Sequence, residues 1–105
     1  MENKLNAYGY DTEVELKPQW IKNEEFPYTG VIKEVKAIEG KFHTAAKPQI
    51  DYRLRIDTAF DFRHFDAFGQ NINWLVNTFG PTPRDWLDKE ICIDLDGKKR
   101  KVQRV

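Results

Sequence analysis

Alternation between apolar and polar positions is the strongest signal in this chain. Ile50, Tyr52, Leu54, Ile56 and Thr58 take every second place, and Asp51, Arg53, Arg55 and Asp57 fill the places between. Successive side chains of a strand point to opposite faces, so this stretch predicts a strand with one apolar and one charged face. Residues 27–39 predict a longer strand, because Val31, Ile32, Val35 and Ile38 are β-branched. Its apolar places change side between Val31 and Ile32. A strand that bends at Gly30 and serves both halves of a small barrel would give that break. Residues 39–48 hold turn residues without a period and predict a long loop. Residues 60–68 form a third, aromatic-rich strand, but Phe62 and Phe65 fall on opposite faces, so its inward side stays open.

The period then changes. Ile72, Leu75, Val76 and Phe79 lie at i, i+3, i+4 and i+7, which predicts an amphipathic helix over residues 70–79 with Asn71 as its cap and Gly80-Pro81 as its stop. Thr82-Pro83-Arg84-Asp85 predicts one further helical turn that presents Trp86 and Leu87. Trp86 is expected to plug the end of the barrel. Ile91, Ile93 and Leu95 alternate again, Asp96-Gly97 suits a tight hairpin turn, and residues 98–105 return as the last strand. The order is strand, long loop, strand, strand, helix, strand, hairpin, strand. This is the order of a five-stranded OB-type Greek-key barrel, all-β with one short helix. A small α+β antiparallel sheet carrying one helix is the alternative. Residues 1–12 show no period and are expected to be a flexible N-terminal arm, a short extended piece is expected over residues 12–16, and residues 13–105 form the domain.

Composition narrows the function classes. A chain of 105 residues supports one core, and seven Phe, four Tyr and three Trp can fill it. No apolar run approaches the roughly 20 residues of a membrane span, and the polar start lacks the apolar stretch of a signal peptide, so a cytoplasmic protein without a membrane partner is expected. Cys92 is the single cysteine, flanked by Ile91 and Ile93, and is expected to pack in the sheet. With His43 and His64 it cannot complete a zinc site. Asp57, Asp61, Asp66, Asp94 and Asp96 lack metal-binding spacing, and there is no Gly-rich phosphate loop or nucleophile elbow. No catalytic residue, metal or cofactor is therefore expected. Formal net charge is zero, yet Lys98, Lys99, Arg100, Lys101 and Arg104 crowd the last eight residues without an acid. Such asymmetry permits a local basic face on a neutral protein.

Asn71-x-x-Trp74-Leu75-x-x-x-Phe79-Gly80, followed by Trp86-Leu87-Asp88-Lys89-x-Ile91-x-Ile93, resembles a pattern in small OB-fold proteins of phages and related mobile elements. In that pattern a helix ending at Phe-Gly or Tyr-Gly leads to a Trp, a Gly-Lys pair and the next strand; here Asp88 stands in place of the Gly. The resemblance implies single-stranded DNA binding, or an accessory role in replication or recombination.

OB folds bind oligonucleotides on strands two and three, between the loop joining strands one and two and the loop joining strands four and five. The residues in those places are basic or aromatic. Lys41, Phe42, His43 and Lys47 lie in the long loop, Arg53 and Arg55 on the second strand, Arg63 and Phe65 on the third, and Lys98, Lys99 and Arg100 at the hairpin. The cations would neutralise phosphates, and Phe42, His43 or Phe65 would stack on bases. An equal alternative is a solvated sheet face on which the arginines pair with Asp51, Asp57 and Asp61. The expected partner is single-stranded DNA or RNA. A protein-interaction module using the barrel surface or an edge strand, with a protein partner or a second copy of the chain, is the alternative.

Overall fold

The long strand around Gly30 organises the molecule. The structure is a computed structural model that describes residues 17–105. Its strands are β1 (Tyr28–Glu39), β2 (Ile50–Asp57), β3 (Phe62–Ala67), β4 (Glu90–Asp96) and β5 (Lys99–Gln103), with helix α1 (Gln70–Phe79) between β3 and β4. Short 3-10 turns cover Asn23–Glu25 and Pro83–Trp86. The strands make one antiparallel sheet in the order β3-β2-β1-β4-β5. Residues 28–31 of β1 pair with β4 and residues 31–39 with β2, so one strand joins the two parts of the sheet. No ladder joins β3 to β5 among the described residues, and those two strands are the edges of an open sheet. The arm expected over residues 1–12 and the extended piece over 12–16 lie outside the described residues.

The switch of sides in β1 is displaced from where the residue pattern put it. Tyr28 and Ile32 are buried in the core, and Val35, which packs against it, lies opposite Leu54. The change of parity comes from a bulge between Ile32 and Glu34, which leaves Lys33 as the extra residue. Gly30 has another task. A Cβ there would lie 2.7 Å from the Asp57 carbonyl oxygen and 2.7 Å from Ile56 Cγ2, so the bare backbone lets β1 approach the end of β2. The loop before β4 seals the bulge: Asp88 N–H donates to the Ile32 carbonyl at 2.7 Å, and Ile32 N–H donates to the Lys89 carbonyl at 2.9 Å.

Ile32, Leu54, Ile56, Leu75, Trp86, Ile91, Ile93 and Val102 are fully buried. Helix α1 lays Leu75 on this core, with Ile72, Val76 and Phe79 packed beside it, as its stripe predicts. Asn71 does not cap the helix, because Gly69 takes the cap position. The Asn71 amide instead donates to the Arg100 carbonyl at 3.0 Å and accepts from Val102 N–H at 3.0 Å, which ties α1 to the free edge of β5. Thr82 and Asp85 cap the second turn as expected: Thr82 N–H and the Thr82 hydroxyl both reach Asp85 Oδ2, at 3.1 and 3.0 Å. The β4–β5 hairpin turns through Gly97 and Lys98, with Gly97 at φ 67°. Cys92 is buried at 8% exposure within β4. No helix among the described residues is long and apolar enough to cross a membrane.

Asp88 has φ 65°, in the left-handed region that favours glycine. The resemblance pattern has Gly at that place, and Asp is among the residues that tolerate it. Its carboxylate also meets Lys33 Nζ at 3.0 Å, but this pair is exposed and contributes little. Asp88→Val, which puts a β-branched residue at positive φ, is expected to destabilise by about 1–2 kcal/mol. Asp88→Gly should stay within about 1 kcal/mol of the parent, because relief of the backbone offsets the entropy of glycine. Paired denaturant melts of the two variants check this.

Candidate functional site

Strand β3 decides what the outer face can offer. Phe65 and Ala67 oppose Leu54 and Tyr52 and are buried, so Phe62, His64 and Asp66 face outward. Phe65, at 6% exposure, is a core residue and is removed from the candidate stacking set. Arg63 shares its side of β3 with Phe65, at the end of the strand. There it forms a two-bonded pair with Glu25, Nε to Oε1 at 3.0 Å and Nη2 to Oε2 at 2.7 Å, and Asp61 lies 3.4 Å away. Arg63 is therefore a structural tie for the turn Asn23–Glu25 and is lost to the phosphate-binding set.

Glu25 owes its acidity to that tie. The Arg63 hydrogen bond, then the bond from Lys22 N–H, lowers its pKa from 4.5 to about 2. A carboxylate with a depressed folded value stabilises fully above its ordinary value and loses the effect as pH falls from about 4.5 through about 2. The gap between thermal melting temperatures at pH 5 and pH 2.5 is expected to shrink in Glu25→Gln. Nearby, burial and then the hydrogen bond to Asp61 push the Tyr28 hydroxyl up to about 12.

The two arginines of β2 face outward as predicted, and both are neutralised there. Arg53 clamps Asp66 across the strands, Nε to Oδ1 at 2.7 Å and Nη2 to Oδ2 at 3.0 Å, and its guanidinium lies 4.8 Å from the Trp20 ring centroid. Arg55 holds Asp57 at 2.9 Å and stacks over Phe62 at 4.3 Å. The pairing of the arginines weighed from the sequence is thus present, but only Arg53–Asp66 spans two strands; Arg55 pairs with Asp57 within β2, and Arg63 pairs with Glu25 of the turn and with Asp61. Asp51 takes no arginine; it is buried and accepts a 3.3 Å bond from Gln49 Nε2.

The loop between β1 and β2 keeps its shape through His43. Gln49 N–H donates to His43 Nδ1 at 2.9 Å and Gly40 N–H donates to the Gln49 carbonyl at 2.8 Å, so His43 is a loop staple rather than a free ring. Phe42, 73% exposed, stands out from the loop with Lys41 Nζ 5.8 Å from its centroid. Lys47 is exposed beside Thr44, whose hydroxyl accepts its N–H at 2.9 Å.

Two clefts cross this face. The larger, about 660 Å³, lies between the edges of β3 and β5, with Trp20, His64, Asp66 and Phe68 on one wall and Lys98, Lys99, Arg100 and Lys101 on the other. The smaller, about 330 Å³, joins Lys41, Phe42 and Arg53 to Asp66 and Phe68. Because they share Asp66 and Phe68, the two clefts meet as one groove from the β1–β2 loop to the β4–β5 hairpin. Three aromatic rings stand open along it, Phe42 at 73%, Phe68 at 57% and Trp20 at 48% exposure. Among the described residues none of the four hairpin cations forms an ion pair; Arg100 rests 5.5 Å over the Phe26 ring.

The chain matches no protein-family model, no curated protein and no solved structure. The chemistry of the groove therefore carries the functional reading.

Of the residues singled out from the sequence, the groove brings together Lys41, Phe42, Arg53, Lys98, Lys99 and Arg100, and the buried Phe65 underlies the larger cleft. Lys47, Arg55 and Arg63 line neither cleft, and His43 is held within its loop. Lys101, read from the sequence only as part of the basic cluster, joins the groove, and Trp20 and Phe68 line it without a signal having been drawn from them. A signal for Phe68 existed: a large aromatic at a strand end before Gly69 has no core neighbour to pack on. Trp20 had none, since an isolated Trp beside Ile21 looks like a core anchor. No group of three or more potential metal ligands occurs among the described residues.

Proposed function

We propose that this chain is a non-enzymatic binder of single-stranded DNA or RNA, built on an unclosed OB-type Greek key. The observation that carries the proposal is the groove itself: hairpin cations that form no ion pair among the described residues, a lysine at the loop end, and three open aromatic rings along it. Aromatic faces accept any base, and cations beside them accept the phosphates, so this combination suits a single strand with little sequence preference. The strand order and the position of the helix support the architecture, whose barrel is commonly only partly closed. Arg53 and Arg55 then act as neutral platforms that hold Trp20 and Phe62, and the hairpin carries the phosphate contacts.

Titration of a labelled oligothymidylate of about 12 nucleotides, with the matching oligouridylate in parallel, tests the proposal. Affinity should fall linearly with salt on logarithmic axes, with a slope of about −0.7 for each phosphate contacted. Absence of binding to either oligomer at low salt would reject it. A second reading, a protein-interaction module, draws on Phe60. This ring is 96% exposed at the tip of the β2–β3 turn, which Thr58 and Asp61 lock through a 2.8 Å backbone bond and a 2.7 Å side-chain bond. Phe60→Ser leaves oligonucleotide affinity unchanged if the groove is the site.

A further inference from the structure

One wall of the groove is a strap rather than part of the sheet. Residues 17–21 run beside the free edge of β3, where Trp20 bridges His64 in parallel sense. The attachment is reciprocal: His64 N–H donates to the Gln19 carbonyl at 2.6 Å, and Gln19 N–H donates to His64 Nδ1 at 3.0 Å. Beyond it, Ile21 is buried in the core and Glu25 is tied to Arg63, so the C-terminal end of the strap is fixed. Trp20 is placed by less. Its ring has the Arg53 guanidinium 4.8 Å from its centroid, lines the cleft and is half exposed.

An imidazole nitrogen that accepts a hydrogen bond carries no proton. Protonation of His64 would set an N–H against the Gln19 N–H and remove one of the two bonds that hold the strap. We infer that His64 is a positioning residue for the groove: its neutral ring latches the strap and so holds Trp20 as a stacking wall, and its protonation frees Trp20 and weakens oligonucleotide binding. This inference rests on the proposed function.

The surroundings favour the latched form at neutral pH. Arg53 and Arg55 face the ring from β2, Asp66 from β3 and Glu34 from β1, while Lys98, Lys99, Arg100 and Lys101, with Asp96, line the far wall of the same cleft. Phe62 meets the imidazole edge-on, with centroids 5.7 Å apart. Partial burial, then Arg53 and Arg55, lowers the His64 pKa below its ordinary 6.5 against the opposing pull of Glu34 and Asp66. The hold of a group shifted in this direction is complete above the ordinary value and is lost as pH falls through the folded one. The predicted change opposes simple electrostatics, because a new positive charge beside a polyanion would by itself raise affinity as pH falls.

The experiment reads two signals on the whole chain between pH 7.5 and pH 5 at constant ionic strength. In the free protein, the Trp20 indole N–H resonance, identified by its loss in Trp20→Phe, should move with the titration of the His64 ring. Affinity for labelled oligothymidylate should fall over the same range by roughly five- to 150-fold, the equivalent of one lost base stack. Both measurements can be made on the parent chain. In His64→Gln, which cannot gain the proton, the Trp20 signal should be flat, and any change of affinity that remains belongs to other groups such as His43, whose Nδ1 also accepts a backbone N–H. A Trp20 resonance that ignores His64 protonation, or an affinity that rises as pH falls, overturns the gate while leaving the binding function intact. Absence of binding at every pH overturns the proposed function and the gate with it.

Discussion

Trp86→Ala is expected to lower stability by about 3–5 kcal/mol, read as a reduced denaturation midpoint at an unchanged slope. The indole is the largest fully buried side chain among the described residues, at 1% exposure. It meets Tyr52 edge-on with centroids 5.3 Å apart, and its Nε1–H donates to the Gly80 carbonyl at 2.9 Å. Truncation removes this packing and leaves a part-buried acceptor without its donor, and the 3-10 turn capped by Thr82 and Asp85 resists collapse into the space. Trp86→Phe separates the two contributions. It retains most of the aromatic volume and loses the hydrogen bond, so it should cost about 1–3 kcal/mol. A Trp86→Ala variant that unfolds with the parent would contradict burial of this ring.

Reversal of three hairpin cations should have the largest effect on binding. Lys98→Glu, Lys99→Glu and Lys101→Glu combined are expected to reduce oligonucleotide affinity on the order of 100-fold at low salt and to flatten the logarithmic salt slope by about two. These lysines are exposed and form no ion pair among the described residues, and Arg100 is left in place over Phe26. Stability should therefore stay within about 0.5 kcal/mol of the parent. Arg53→Gln should behave in the opposite way. It leaves Asp66 without its clamp and Trp20 without its platform, so its cost falls on stability and on stacking rather than on the salt slope. Equal salt slopes in the parent and the triple variant would move the phosphate contacts away from the hairpin.

What could be read from the residues alone follows the range of the forces involved. The alternation over β2, the stripe of α1 and the Thr82–Asp85 cap are set by neighbours within a few positions, and each appears where the pattern puts it. Strand β3 was ambiguous for a physical reason. Its two faces carry Phe62 with His64 and Arg63 with Phe65, so each offers an aromatic ring and a basic group, and parity alone cannot choose between them. The choice is made by Leu54 and Ile56 of β2, which oppose Phe65 and Arg63. Ion-pair partners were legible only in kind. Arg63 finds Glu25 from 38 positions away, and Arg53 finds Asp66 from 13, because only the sheet brings them together. Asn71 is the same case. Its type and place suit a helix cap, but the edge of β5 offers its amide a donor and an acceptor at once.

The open sides of β3 and β5 bear on how copies of the chain behave toward one another. An uncovered strand edge is a template onto which another chain can add, and long flat edges lead to uncontrolled association. Each edge here is blunted differently. On β5 the Asn71 amide occupies the Arg100 carbonyl and the Val102 N–H as a neighbouring strand would, and the lysines beside it repel an identical edge. On β3 the Gln19 carbonyl occupies the His64 N–H. The gap between the strands thus stays available to a flexible polyanion, while a second rigid sheet meets side-chain amides and like charge and gains no continuous ladder.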